Sequence, residues 1–354
     1  MKLNTSSFNL VCLSGRTVKH MMLVALAVVL SGCNLINKMM YKTTGDVMKG
    51  FAQEHTIPFV LEQDDMAMGC AMSEATAPLM LSFGRVTAEP DQLAVMMYLS
   101  AGACEEQRAL DEELRYTRAI KQQNPDEAED ALIAQKRHLV NAAKRQYLAW
   151  QRLVAHYGEP GGAECPKLDT EFDQFIWMAG MLSGLQALNN EIQSTVAVGV
   201  PKNIGSKAER AASCLTNTEW WGVPMAIKAT VWSMIPGALP KGENAWERLE
   251  ASDKIGERSR VRLSHVLHAM AAFAKGDMER VRNVIRKHAE TIKQRPSRPS
   301  HRMIDTIATF NIQALSDRMW TQATGHRTPV GGLGTFWDEK KASNVETVDL
   351  EGLL

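Results

Sequence analysis

The sequence predicts an all-α protein, an irregular array of α-helical hairpins of the tetratricopeptide-like α-solenoid kind. Three observations carry this. Apolar residues recur at helical spacing along most of the chain, and runs with strand alternation are scarce. In at least one helix pair, small alanines sit between bulkier residues where the two helices would meet. The repeat period is irregular, so the units are degenerate.

The first element is a leader. Lys2, Arg16 and Lys19 precede an apolar run from Met21 to Leu30. That run is too short to span a bilayer, which takes ~20 apolar residues, but it suits the core of a secretory signal. Ser31, Gly32 and Cys33 follow, and the arrangement resembles the bacterial lipobox. Residues 1–32 are therefore expected to be removed, leaving Cys33 as the lipid-bearing (palmitate-carrying) first residue. Each buried acyl methylene contributes ~0.8 kcal/mol and stable anchoring takes more than one chain, which a multiply acylated cysteine supplies. Asn34 stands where an Asp would favour the inner membrane, so the expectation is an outer-membrane anchor with the body in the periplasm.

Residues 33–60 read as a lipidated tether and first helix, with helical pattern near 34–53. The body, 61–324, opens with helices near 65–85 and 91–122. From Asp126 to Tyr157, Leu132, Leu139, Ala143, Tyr147, Trp150, Val154 and Tyr157 fall at steps of seven, four or three and make one stripe. Asn124-Pro125 starts that helix, and Gly158 with Pro160 stops it. Further helices are expected near 171–193, 205–216, 222–235, 246–275 and 300–323. "STVAVGVP", Ser194 to Pro201, reads either as a strand or as an extended loop.

Near residue 276 the chain reads as a helix pair joined by a tight turn, with Gly276 able to end one helix and Asp277 able to cap the next. Val281, Val284, Ile285, His288, Ala289 and Ile292 share one face of the second helix. Residues 325–354 are expected to be a poorly ordered tail, broken by Gly331, Gly332 and Gly334, in which only "VETVDLEGLL" has the pattern of a docking element.

Composition narrows the function. The chain carries 40 basic and 40 acidic residues. Loss of the leader removes three basic residues and no acid, which leaves a slight acidic excess and argues against a nucleic-acid partner. After Cys12 and Cys33, four cysteines remain: Cys70, Cys104, Cys165 and Cys214. An even count in an oxidising compartment favours two disulfides, and sequence proximity suggests Cys70 with Cys104 and Cys165 with Cys214. Free buried thiols and a zinc site stay open as alternatives, although no pair has Cys-x-x-Cys spacing.

Catalytic signatures are missing from the pattern. "GVPKNIGSK" has Ile204 in place of a phosphate loop's second glycine and ends Gly-Ser-Lys rather than Gly-Lys-Ser. "GMLSGL" around Ser183 lacks the Gly-x-Ser-x-Gly of a nucleophile elbow. His265 and His268 stand three apart and would need a third ligand to hold a metal, so one packed and one solvent-facing histidine is the expectation. Asp64 and Asp65, with Glu62 upstream, offer either a cation site or, as expected here, a helix N-terminus, whose dipole favours acids.

The apolar inventory points to binding. Met66, Met68, Met72, Met80, Met96 and Met97 crowd the first third of the mature chain, and Trp177, Trp220, Trp221, Trp232 and Trp246 occupy the middle. Methionine adapts to irregular ligands and tryptophan offers a broad face with one donor. Trp177, Trp220, Trp221 and Trp232 are the candidates for a hydrophobic groove or interface. At "EWWGVP" two adjacent rings on a helix would not share one core, so one is expected to meet solvent, a ligand or a neighbouring subunit.

Three stretches together resemble a known family. "LIAQKRHLVNAAKRQYLAWQRLVAHYG" is similar to the long helix of the T-component lipoproteins (TatT) that accompany tripartite ATP-independent periplasmic (TRAP) transporters. "FDQFIWMAGMLSGLQALNNEI" looks like that family's aromatic helix with a small-residue face, and "TIATFNIQALSDRMW" like its final helix. The resemblance implies pseudo-tetratricopeptide helices, a homotrimer with a central passage, and a periplasmic solute-binding protein as partner. It carries no catalytic residue.

The resulting expectation is a non-enzymatic lipoprotein without cofactor or metal, held to the membrane through Cys33. Its helical body would serve a TRAP-type uptake system and bind a hydrophobic small molecule. The alternative is an envelope-assembly scaffold that binds proteins only. A metal hydrolase built on His265 and His268 is a third class.

Overall fold

The computed structural model describes residues 36–88 and 90–339. Cys33, the leader and "VETVDLEGLL" lie outside the described residues. Those described fold as helices packed on helices with no strand among them, the all-α class that the periodicity predicts.

The chain enters as α1, helical over 36–51, and continues through one π turn, Ala52–Thr56, into α2, Ile57–Leu61. Helix α3, Met66–Ser82, starts at Asp65, whose carboxylate accepts the Met68 N–H at 2.9 Å. This is the helix-starting role that its position suggests.

Two long helices follow, α4 over Asp91–Lys121 and α5 over Pro125–Tyr157. The three residues between them are too few for anything but a hairpin, so the two pack along their length. The sequence signals act as expected: Asn124 accepts the Glu127 N–H, Pro125 fills the first helical position, and Gly158 leaves the helix at φ +83°. Helix α6, Glu171–Ser194, opens with a reciprocal cap. Asp173 N–H donates to Thr170 Oγ1 at 3.0 Å, and Thr170 N–H donates to Asp173 Oδ2 at 3.1 Å.

Glycines let these helices approach closely. A Cβ on Gly184 would lie 2.3 Å from the Trp150 ring, and one on Gly180 would lie 2.6 Å from Leu153. Gly102 of α4 similarly admits Gln146 of α5. There Gln146 and Glu106 both accept hydrogen bonds from the Asn190 amide, which ties α4, α5 and α6 through a polar core.

The segment after α6 is the extended loop, not a strand. The buried Glu191 carboxylate accepts N–H bonds from Val198, Gly199 and Val200 at 2.8–2.9 Å and pairs with Lys202. The chain proceeds through α7, Ile204–Ala211, a short 3-10 turn to Cys214, and α8, Val223–Met234. Helix α9 covers Ala245–Ser259 and α10 covers Leu263–Ala274.

The sequence expectation of one helix over 246–275 is thus corrected. Arg260 takes a left-handed conformation at φ +60°, and Arg262 turns into the core. There the Arg262 guanidinium meets Asp305 at 2.5 Å and Thr291 O at 2.8 Å, while its backbone N–H donates to Asp305 at 2.6 Å. An arginine buried with this many acceptors is a junction, and it breaks the helix to make one.

Helix α11, Met278–Gln294, pairs with α10 across the Gly276 turn, with Asp277 as cap. Helix α12, Arg302–Thr324, then returns to touch both α10 and α4. Arg318 of α12 grips Glu113 of α4 through two nitrogens at 2.8–3.0 Å.

The tail also departs from expectation over its first half. Residues 325–339 lie against α11 and α12. Phe336 is buried, Arg282 stacks over Phe336 and Trp337, and Trp320 Nε1 donates to Thr335 O. The four body cysteines form two disulfides. Cys70–Cys104 ties α3 to α4, and Cys165–Cys214 ties the 158–170 loop to the turn after α7.

Candidate functional site

The residues Thr216 to Gly222 do not continue a helix; they form a turn. Trp220 N–H donates to Thr216 O, and Gly222 N–H donates to Asn217 O at 2.8 Å. The Asn217 side chain accepts the Met225 N–H at 2.9 Å and fixes the start of α8. Two consecutive residues have positive φ, Trp221 at +55° and Gly222 at +80°. The glycine is required, because a Cβ there would fall 2.5 Å from Ser252 O. A bulky residue such as Trp221 in this region is strained and is held by its surroundings.

The turn sends both indoles to the same side. Trp220 and Trp221 meet edge to face at 5.4 Å, and both are buried. The expectation that the two rings would not share one core is therefore corrected. It assumed helical geometry, and the left-handed residue removes that assumption. Trp220 stacks on Phe175 and donates through Nε1 to Gln174 Oε1 at 2.8 Å. Trp221 meets the His301 ring edge to face at 4.8 Å.

These rings form one wall of a recess of about 270 Å³. The first turn of α6 contributes Glu171 and Gln174, the tryptophan turn contributes Glu219, and the segment before α12 contributes Arg298 and His301. Arg298 is positioned by its backbone N–H, which donates to Arg260 O at 3.1 Å. Burial, reinforced by the positive charge of Arg298, lowers the His301 pKa from its ordinary value, while Glu171 opposes this. His301 is therefore neutral at neutral pH, and its Nδ1 lies 2.9 Å from Ser300 Oγ.

The recess combines aromatic faces, two carboxylates and one guanidinium within a volume suited to a small solute. A guanidinium selects carboxylate or phosphate, and a carboxylate beside an indole face selects a cation. The arrangement fits a small molecule carrying both charges on a compact apolar or planar body.

The four candidate tryptophans do not converge here. Trp177 is in the core of the α6 region with Nε1 donating to Ala211 O at 3.1 Å. Trp232 is buried on α8, donates to Glu209 at 3.0 Å and lies under Lys228. Of the early methionines, Met80 packs inside beside Met97 while Met68 is exposed, so the six do not share one lining. Sequence reasoning reached Trp220 and Trp221 but not Arg298, His301, Glu171 or Gln174. Only the adjacency of Glu219 to the tryptophans was legible.

The histidine pair also differs from expectation, since both rings are buried. His268 Nδ1 lies 2.6 Å from Asp253, whereas His265 faces His288 at 5.3 Å between centroids. The i, i+3 spacing puts them on one helix, but each turns to a different neighbouring helix. Among the described residues, no group of three or more His, Cys, Asp or Glu is placed to hold a metal ion. Asp64 lies 4.0 Å from Arg302.

No protein-family model, curated protein or solved structure matches this chain.

Proposed function

We propose that this chain is a lipid-anchored envelope protein whose helical array holds a small zwitterionic solute in the Trp220–Trp221 recess without converting it. The observation that carries the reading is the recess itself, which brings Arg298, Glu171 and Glu219 together with two indoles. This revises the hydrophobic groove that the tryptophan content suggests, because three of the seven lining residues, Glu171, Glu219 and Arg298, are charged.

Two further observations support the compartment. Disulfides persist where the surroundings are oxidising, and both body pairs are formed. The sequence before residue 34 has the order of a lipoprotein leader, with Cys33 as the acceptor. The client we propose is a TRAP-type uptake system, reached through a periplasmic solute-binding protein, with the chain as a homotrimer. The support is the sequence resemblance, whose three stretches fall in α5, α6 and α12.

A fluorescence titration tests the ligand reading. Purified protein is exposed to a panel of zwitterionic amino acids, with their amides and decarboxylated forms as controls. Members bearing both charges are expected to shift indole emission. Charge-assisted hydrogen bonds contribute ~1.5–3 kcal/mol, so Arg298→Ala is expected to weaken binding by about tenfold or more. Zwitterions that bind no better than their singly charged forms, or an Arg298→Ala variant that binds like the parent, would contradict the reading.

A further inference from the structure

Helix α1 turns its apolar side away from the protein. Ile36, Met40, Val47 and Phe51 follow one another at steps of four, seven and four, so they share one face. All four are exposed, Val47 to 63% and Phe51 to 56%. Met39 lies on the same side, and with Ile36, Met40, Thr43 and Thr44 it borders a shallow apolar hollow. The opposite face meets the body at a few points, with Lys38, Tyr41, Lys42 and Met48 still exposed. A Cβ on Gly45 would come within 2.9 Å of Thr87, Asp46 bonds the Thr87 hydroxyl, and Ala52 is buried. Packing thus holds part of one side of the helix and leaves the apolar side uncovered.

Charge narrows what covers it. Lys38, Lys42 and Lys49 lie along the polar side, and Asp46 is the single acid between residues 36 and 51. An amphipathic helix with lysines on the face opposite an apolar stripe is suited to the boundary between headgroups and acyl chains of a bilayer. The position in the chain agrees, because α1 begins three residues after Cys33.

We infer that α1 lies in the surface of the membrane, with Ile36, Met40, Val47 and Phe51 among the acyl chains and the lysine-bearing face turned away from them. The body would then be held at a fixed angle to the bilayer rather than hanging on a free tether. This rests on the lipid-anchor reading for the nearness of the bilayer, and on the helix geometry for the face that enters it.

The test uses the full chain, purified from a Gram-negative host and reconstituted into vesicles of phosphatidylethanolamine and phosphatidylglycerol with a brominated fraction. Tryptophan is introduced by Val47→Trp on the apolar face or by Lys42→Trp on the polar one, both at exposed positions that leave the packing intact. The eight native tryptophans are subtracted with the parent protein. Emission added at residue 47 is expected to be quenched about twofold or more strongly than emission added at 42.

Equal quenching at the two positions would overturn the proposal. So would absence of quenching at 47 accompanied by self-association through α1, which would make a second copy the occupant. Mass spectrometry of the same sample separates the two readings. An unacylated Cys33 with quenching at 47 leaves the face proposal standing and removes the anchor, whereas acylated Cys33 without quenching at 47 does the reverse.

Discussion

Glu191 is a buried carboxylate with both oxygens engaged. Burial opposes its ionisation, but Lys202 and the N–H groups of Val200 and Val198 outweigh it and hold the pKa at about 2. A carboxyl depressed in the folded state adds stability that is present above its unfolded value of 4.5 and is lost as pH falls toward 2. Replacing it strands three backbone donors, so Glu191→Ala is expected to cost about 2–4 kcal/mol in a urea titration. A loss below half a kilocalorie would mean that the 195–203 loop does not depend on it.

His288 also loses stability on acidification, but because its neutral form is the one that burial favours. Burial first, then the charges of His265 and Arg262, push its pKa well below 6.5. Its unfolded form takes up a proton that the folded form refuses, so its contribution is complete above pH 6.5 and is lost as pH falls below that value. Urea midpoints measured at pH 7.5 and 5.5 are expected to fall on acidification, and His288→Leu is expected to flatten the difference. An unchanged slope in the variant would assign the acid sensitivity elsewhere.

At the scale of elements, α4, α5 and α6 were the most legible. Their apolar stripes are long, and the ends of α5 are written in residues such as Asn124, Pro125 and Gly158. The α9–α10 break was not legible, because its cause is distant. Arg262 leaves the helix to reach Asp305 and Thr291, 43 and 29 residues further along. The recess was hidden for a similar reason. Its charged members come from three segments, and no local periodicity links Glu171 to Arg298.

The tail misled through its glycines. They mark breaks in helical pattern, but Phe336 and Trp337 still find Arg282 and Arg286 to lie against. Close approach of α5 and α6 depends on the glycines of α6, and overpacking a tight core costs about 1–3 kcal/mol. Gly184→Leu, which drives a side chain into Trp150, is expected to lower the melting temperature by several degrees. A variant as stable as the parent would show that these helices can part at little cost.

For the whole molecule, closure matters more than the open spiral that a repeat array suggests. Helix α12 comes back to α4 through the Arg318–Glu113 pair, and Lys121 donates to the last carbonyls of α12. The two disulfides fasten different regions, one at α3–α4 and one beside α7. Loops of 34 and 49 residues place each in the range of about 2–4 kcal/mol. Reduction is therefore expected to lower the denaturation midpoint markedly, and the paired Cys165→Ser, Cys214→Ser variant is expected to reproduce part of that loss.

Peptide mapping by mass spectrometry, run without reductant on protein taken from the cell envelope, tests the central claim most directly. The account expects the Cys70–Cys104 and Cys165–Cys214 cross-links, together with an N-terminal peptide that begins at an acylated Cys33. Free thiols at the four body positions, or a chain that keeps residues 1–32 with Cys33 unmodified, would contradict it.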